Sequence, residues 1–234
     1  MNDNFTNWGC THLITLGVIA LVITFLIRYG RNLPQQQRLY FARRIGLVML
    51  LFFIFEYSWR LCTYGPAACV SMQLLPLHFC AFMTWVSIIA LWWQRPWACC
   101  LVYFGVLSAS IQALITPVLH DDFPTIAFFN FFISHSLLLL AALVQTAVIG
   151  WRARRRDPIL AVLIMDAYVL VIHPINMLLG SNYGFTAEGP ANTLLAQLGP
   201  GPWYYLKLQI PALLLFYLMY LFVRQKAPKS EQAD

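Results

Sequence analysis

Residues 74–93 read Leu74-Leu75-Pro76-Leu77-His78-Phe79-Cys80-Ala81-Phe82-Met83-Thr84-Trp85-Val86-Ser87-Ile88-Ile89-Ala90-Leu91-Trp92-Trp93, without one charged side chain. A run of this length and polarity predicts a transmembrane helix, which needs about 20 apolar residues. His78 and Cys80 place an imidazole and a thiol where lipid is expected. Polar groups at that depth are costly and require partners.

The rest of the chain has the same character. Of its 234 residues 60% are hydrophobic and 10% charged, with a mean hydropathy of +0.68. Soluble domains carry roughly 25% charged residues. Apolar stretches at about 11–28, 43–61, 74–93, 98–119, 124–149, 158–178 and 203–223 predict an all-α, polytopic membrane bundle of about seven spans in one domain over residues 1–234. None alternates with period two, which argues against a β-barrel. Residues 1–11 hold no Lys or Arg, so the first segment reads as a retained helix and not as a cleaved leader.

The net charge of +6 sits in the connections, where it reports topology and no nucleic-acid partner. Arg28, Arg31, Arg38, Arg43, Arg44, Arg95, Arg152, Arg154, Arg155, Arg156, Arg224, Lys226 and Lys229 fall on one side. Arg60 and Lys207 fall on the other, with Asp121, Asp122 and Glu188. Basic loops stay cytoplasmic, so the N-terminus is expected outside and the C-terminus inside. Contact of Arg152–Arg156 with anionic lipid is a secondary expectation.

At about 1.5 Å of rise per residue, Cys80 is expected roughly 9 Å below the outer end of its helix and His135 roughly 15 Å below that of its own. Their levels allow them to meet, whereas His78, two residues from Cys80, points nearly the opposite way. Glu56 and Arg60 form an i, i+4 ion pair. Ser108, Gln112, Thr116 and His120 recur every four residues as a polar stripe suited to an internal cavity, and His173 and Asn176 share a face. Pro117, Pro174 and Pro211, inside apolar segments near their outer ends, suggest broken helices around an outward vestibule. Residues 179–202 would lid it, with Asn182-Tyr183-Gly184-Phe185 as a turn and a short helix over 192–198. Trp203, Tyr204 and Tyr205 open the last helix as an aromatic belt, with Lys207 snorkelling.

The Leu75-Pro76-Leu77-His78-Phe79-Cys80 run, Ser134-His135, Asn176 ahead of Asn182-Tyr183-Gly184-Phe185, Pro190, and Leu198-Gly199-Pro200-Gly201-Pro202-Trp203-Tyr204 together resemble the bacterial YwaF-type integral membrane proteins and the eukaryotic transmembrane protein 164. The likeness covers about residues 40–225. It implies a bacterial plasma-membrane protein and an acyltransferase acting between phospholipids and lysophospholipids, with Cys80 taking the acyl group and His135 assisting. His78, Gln112, Glu56, Arg60, His173, Asn176, Asn182, Tyr183, Trp203 and Tyr204 are the expected substrate contacts.

The chemistry holds without the resemblance. A thiol in apolar surroundings is inert unless a base takes its proton, so Cys80 needs an imidazole within about 3 Å. Gln112, Asn176 or a backbone amide would stabilise an oxyanion. No cofactor is expected, and no metal, since no His or Cys pair has zinc spacing. Cys62 and Cys69 share an outward loop where a disulfide is conceivable, and Cys99 and Cys100 at the inner edge suit acylation or burial. A small-solute transporter and a non-catalytic lipid-binding protein are the alternative readings.

Overall fold

The computed structural model describes residues 5–119, 121–189, 194–199 and 202–225. Seven long helices form among them: α1 (Cys10–Asn32), α2 (Gln35–Ser71), α3 (Phe79–Trp93), α4 (Pro96–Ile115), α5 (Ile126–Val148), α6 (Asp157–Leu179) and α7 (Pro202–Val223). All but α3 are long and apolar enough to cross a membrane, and the chain is a multi-pass membrane protein. A π-helical stretch interrupts α4 at Val102–Val106 and closes α5 at Val144–Val148.

The bundle is built around α4. In its most apolar window 61% of residues are buried, against 6% for α7 and 11% for α1, which therefore lie at the periphery. Helix α4 packs on α5 and α6, α2 on α3 and α5, α1 on α5, and α7 on α6. Two reciprocal bonds lock α2 to α3 at one end: Trp92 Nε1 donates to the Arg43 carbonyl at 2.8 Å, and Arg43 Nε to that of Trp92 at 3.2 Å. Gly46 allows that approach, because a Cβ there would lie 2.7 Å from Trp92 Nε1. At the other end His12 Nε2 donates to the Leu114 carbonyl at 2.8 Å and ties the start of α1 to the end of α4.

Three boundaries differ from the sequence reading, and proline or glycine explains each. Helix α2 runs ten residues beyond 61, past a break at Gly65, whose φ of 76° suits only glycine. Pro66 then opens the second piece, the position where a missing N–H costs nothing. The supposed outward loop of Cys62 and Cys69 is thus helix; both thiols are free, and Cys69 Sγ lies 3.6 Å from the Arg60 carbonyl. Helix α3 begins at Phe79 and not at 74, because Pro76 drives Leu75 away from helical geometry. Pro117 lies outside α4, which stops at Ile115 with Thr116 as its cap, whereas Pro174 and Pro211 do sit within α6 and α7.

Candidate active site

Helix α3 has only 15 residues, about 22 Å, against the ~30 Å hydrocarbon layer. The turn at residues 72–78 makes up the difference with irregular backbone, which membrane depth tolerates only where protein satisfies its polar groups. Here it does so residue by residue. Arg60 Nη1 donates to the Leu74 carbonyl at 3.4 Å, His78 Nε2 to that of Gln73 at 3.1 Å, and the Tyr168 hydroxyl to that of Leu77 at 2.7 Å. The Leu77 amide closes back on the Leu75 carbonyl at 2.8 Å, and the His78 carbonyl receives the amides of Ala81 and Phe82.

This turn sets Cys80 at the second residue of α3. Its thiol is thus on the first turn of the helix, not one and a half turns down as depth counting placed it. The positive end of the α3 dipole lies there and favours negative charge. Cys80 Sγ is 3.2 Å from His135 Nε2 on α5. The other ring nitrogen, Nδ1, is 2.8 Å from the Phe131 carbonyl, which only accepts, so Nδ1 carries the proton of the neutral ring. Nε2 is left with its lone pair toward the thiol, and the S–H donates to it. The Phe131 ring, 4.3 Å centroid to centroid and 30° from parallel, holds the imidazole flat, and Ser134 Oγ stands 3.4 Å from Nδ1. His135 is buried and Cys80 partly exposed.

Glu56 on α2 faces this pair and interacts electrostatically with both groups. It is ion-paired with Arg60 as the i, i+4 spacing predicts, and the Arg60 guanidinium lies 5.1 Å from the Tyr57 ring centroid. Between α2, α3 and α5 a small recess of about 10 Å³, lined by Glu56, Thr84, Ser134 and Leu137 among others, is room for a single water.

A second cluster builds the support. Asn176 Nδ2 donates to the Tyr183 carbonyl at 2.9 Å and to Thr186 Oγ1 at 2.8 Å; its Oδ1 receives the Tyr183 amide and the Ser181 hydroxyl, both at 2.8 Å. The Asn182 amide donates to Gln73 Oε1 at 3.0 Å, and the Tyr183 ring stands edge-on to His78 at 4.9 Å. His173 Nδ1 lies 3.2 Å from Thr186 Oγ1. Residues 181–187 are thereby fastened over the turn that carries Cys80. The polar atoms of Asn176 are all used in that clasp, and His78, Asn182 and Tyr183 also serve it.

The polar stripe of α4 is largely self-satisfied. Ser108 Oγ donates to the Phe104 carbonyl at 2.7 Å and Thr116 Oγ1 to that of Gln112 at 3.0 Å; Gln112 is half-buried, and His120 lies outside the described residues. The aromatic belt reduces to Trp203, which is exposed; Tyr204 is buried and the Tyr205 hydroxyl turns inward to Asp166 Oδ1 at 2.8 Å. Lys207 Nζ donates to the Leu198 carbonyl at 2.9 Å. The expected short helix over 192–198 is described only at Leu194–Leu198, as a 3₁₀ turn; Pro190, Pro200, Gly201, Lys226 and Lys229 lie outside the described residues.

Asp166, absent from the sequence reading, also accepts Gln209 Nε2 at 2.9 Å. Its signal was a single carboxylate in an apolar span facing Tyr205 and Gln209, four residues apart on the next one. Gln145 was missed as well: fully buried, it exchanges amide bonds with Gln94 and donates to Cys99 Sγ at 3.1 Å. Cys99 and Cys100 are buried, and the Cys100 thiol donates to the Asp157 carbonyl at 3.1 Å.

The family model of the TMEM164 family matches residues 6–220. The chain belongs to the TMEM164 family. No curated protein and no solved structure matches it. As a TMEM164-family protein it is a membrane protein by descent as well as by composition, and the matched region contains every residue of the cysteine–histidine pair and its clasp.

Proposed function

We propose that this protein is a membrane-embedded acyltransferase that moves a fatty acyl chain from a phospholipid to a lysophospholipid-type acceptor through a thioester on Cys80. The observation that carries the reading is the 3.2 Å approach of Cys80 Sγ to a His135 ring whose tautomer the Phe131 carbonyl selects. An imidazole whose second nitrogen is fixed and a thiol in hydrogen-bond reach are what nucleophilic catalysis requires. The nucleophile comes from the third helix and the base from the fifth, as the family resemblance implies.

His135 Nε2 takes the thiol proton, and the sulfur attacks the ester carbonyl carbon of the donor. The ester C–O bond breaks, and the departing glyceryl oxygen collects the proton from the imidazolium. The acceptor hydroxyl then yields its proton to Nε2 and attacks the thioester; the C–S bond breaks and the sulfur regains the proton. The developing oxyanion meets the first-turn amides of α3, since Ala81 and Phe82 already bond His78 and the Phe79 and Cys80 N–H groups are left over among the described residues. Asn176, committed to Tyr183 and Thr186, is not the donor. Arg60, near the turn and partly exposed, is suited to the lipid phosphate, and Trp203 to the headgroup layer. The Cys80 end faces outward and the arginine-rich end faces the cytoplasm of a bacterial plasma membrane.

The test is acyl exchange between phospholipid and lysophospholipid by purified protein. Cys80→Ala should abolish exchange and the acyl adduct detectable at that cysteine by intact mass. His135→Ala should lower the rate by about 10²-fold or more, the usual contribution of a positioned base. Undiminished exchange by both variants refutes the reading.

A further inference from the structure

The opposite end of the bundle holds a cavity of about 540 Å³ that the proposed acyl transfer does not use. That volume is within the ~300–1,000 Å³ typical of small-molecule sites. Three junctions wall it: Gln94 and Pro96 where α3 gives way to α4, residues of the α5–α6 loop from Gly150 on together with Asp157 and Leu160 in the first turn of α6, and Gln225 after α7.

The walls are held by the fold. The Ala153 amide donates to the Val223 carbonyl and the Gln225 amide to that of Ala153, each at 2.9 Å, so the arginine loop is pinned to the end of α7. Gly150, with φ of 85°, makes the turn into the loop, and the Trp151 amide bonds the Gln145 carbonyl at 3.0 Å. Gln94 is fixed by its paired amide with buried Gln145.

The charge inside is one-sided. Arg152, Arg154 and Arg156 line the cavity, with Asp157 as the only carboxylate among the described residues that line it. Asp157 Oδ2 is turned to the Arg154 backbone amide at 2.8 Å, and Arg152 Nη1 is engaged by the Thr146 and Trp151 carbonyls. The guanidinium groups of Arg154 and Arg156 have no partner among the described residues and face a preformed space. The three arginines are exposed, as topology alone would have them; what goes beyond that requirement is the preformed recess they border, walled by connections pinned to one another. Guanidinium matches phosphate oxygens with two parallel bonds. Trp93 and Trp97, exposed on either side of the Gln94–Pro96 connection, belong at headgroup level and set the cavity at the membrane surface.

We propose that this cavity binds the phosphate group of an anionic ligand, held by Arg154 and Arg156. The ligand's phosphate comes either from an anionic lipid headgroup or from a soluble phosphate, and the two sources separate experimentally. The full chain is reconstituted in phosphatidylcholine nanodiscs, with and without phosphatidylglycerol, and in phosphatidylcholine nanodiscs titrated with inorganic phosphate; bound lipid is counted by native mass spectrometry and unfolding temperature is recorded. Retention of phosphatidylglycerol over phosphatidylcholine by tenfold or more, lost at least tenfold in Arg154→Gln/Arg156→Gln but kept in Arg28→Gln/Arg44→Gln, supports the lipid source. A saturable rise in unfolding temperature with phosphate, absent in the same double variant, supports the soluble source. If the double variant does not accumulate, Leu160→Trp fills the cavity with every charge retained and should show the same loss. Equal loss in the two arginine pairs, no loss in Leu160→Trp, or no preference for either probe overturns the proposal.

Discussion

Replacing Asn176 by alanine should release the segment that covers the Cys80 turn. The Asn176 side chain serves both the amide and the carbonyl of Tyr183, a residue with no solvent exposure. Alanine leaves those two backbone groups buried and unpaired, at about 1–3 kcal/mol each, so local opening should become about 2–6 kcal/mol easier. At about 1.4 kcal/mol per tenfold, protection of the segment falls by roughly 30-fold at the low end and about 20,000-fold at the high end. The assay is hydrogen exchange of the full chain in nanodiscs, following peptides over residues 181–188 with α4 peptides as internal reference. Acyl exchange should fall with it, because Asn182 and Tyr183 rest on Gln73 and His78 and thereby hold the start of α3. Protection within threefold of the parent, or an equal loss throughout α4, would refute the claim that Asn176 is the fastening of that clasp.

Other outcomes rest on the same geometry. Gly184→Ala should destabilise the protein by about 1–3 kcal/mol in thermal unfolding, since Gly184 has a φ of 65° and a Cβ would strike the Tyr168 hydroxyl that holds Leu77. Gly46→Val should cost about 1–3 kcal/mol by forcing Trp92 from the Arg43 carbonyl, visible as a change in tryptophan emission. A double-mutant cycle of Asp166→Asn with Tyr205→Phe should give a coupling of about 0.6 kcal/mol or more, up to about 1.7, the average and the maximum for interhelical polar contacts in membranes; a value near zero removes the α6–α7 link. In cysteine-free protein, Glu188→Cys should react with an impermeant maleimide from outside intact cells and Gln225→Cys only after lysis, and the reverse pattern would invert the proposed orientation.

The seven helices were legible because each is a long apolar run, six of them long enough to cross a membrane, and the packing contradicts nothing in the composition. What composition lacks is the local geometry of the ends. The stretch 62–71 looks like a loop for its Gly65-Pro66, yet that pair breaks one helix and starts another in two residues. Cys80 and His135 were matched by level across two helices, and they do meet, but for a different reason: the turn before α3 shortens the helix and puts the thiol on its first turn. The clasp was half visible. Asn176 and Asn182-Tyr183 stood out as polar residues, while their mutual bonds join positions seven apart across the end of α6, where helical spacing no longer tells which side chains meet. Asp166 and Gln145 passed unnoticed because each is a single polar residue in an apolar run, and its partner sits on another helix.

The two π-helical stretches carry an evolutionary corollary. Each is one residue of surplus absorbed into a helix without disturbing the neighbouring turns, at Val102–Val106 and at Val144–Val148. Relatives that lack the surplus residue should show single-position gaps confined to those ten positions, and His135 should keep its spacing from Phe131 whether the gap is there or not.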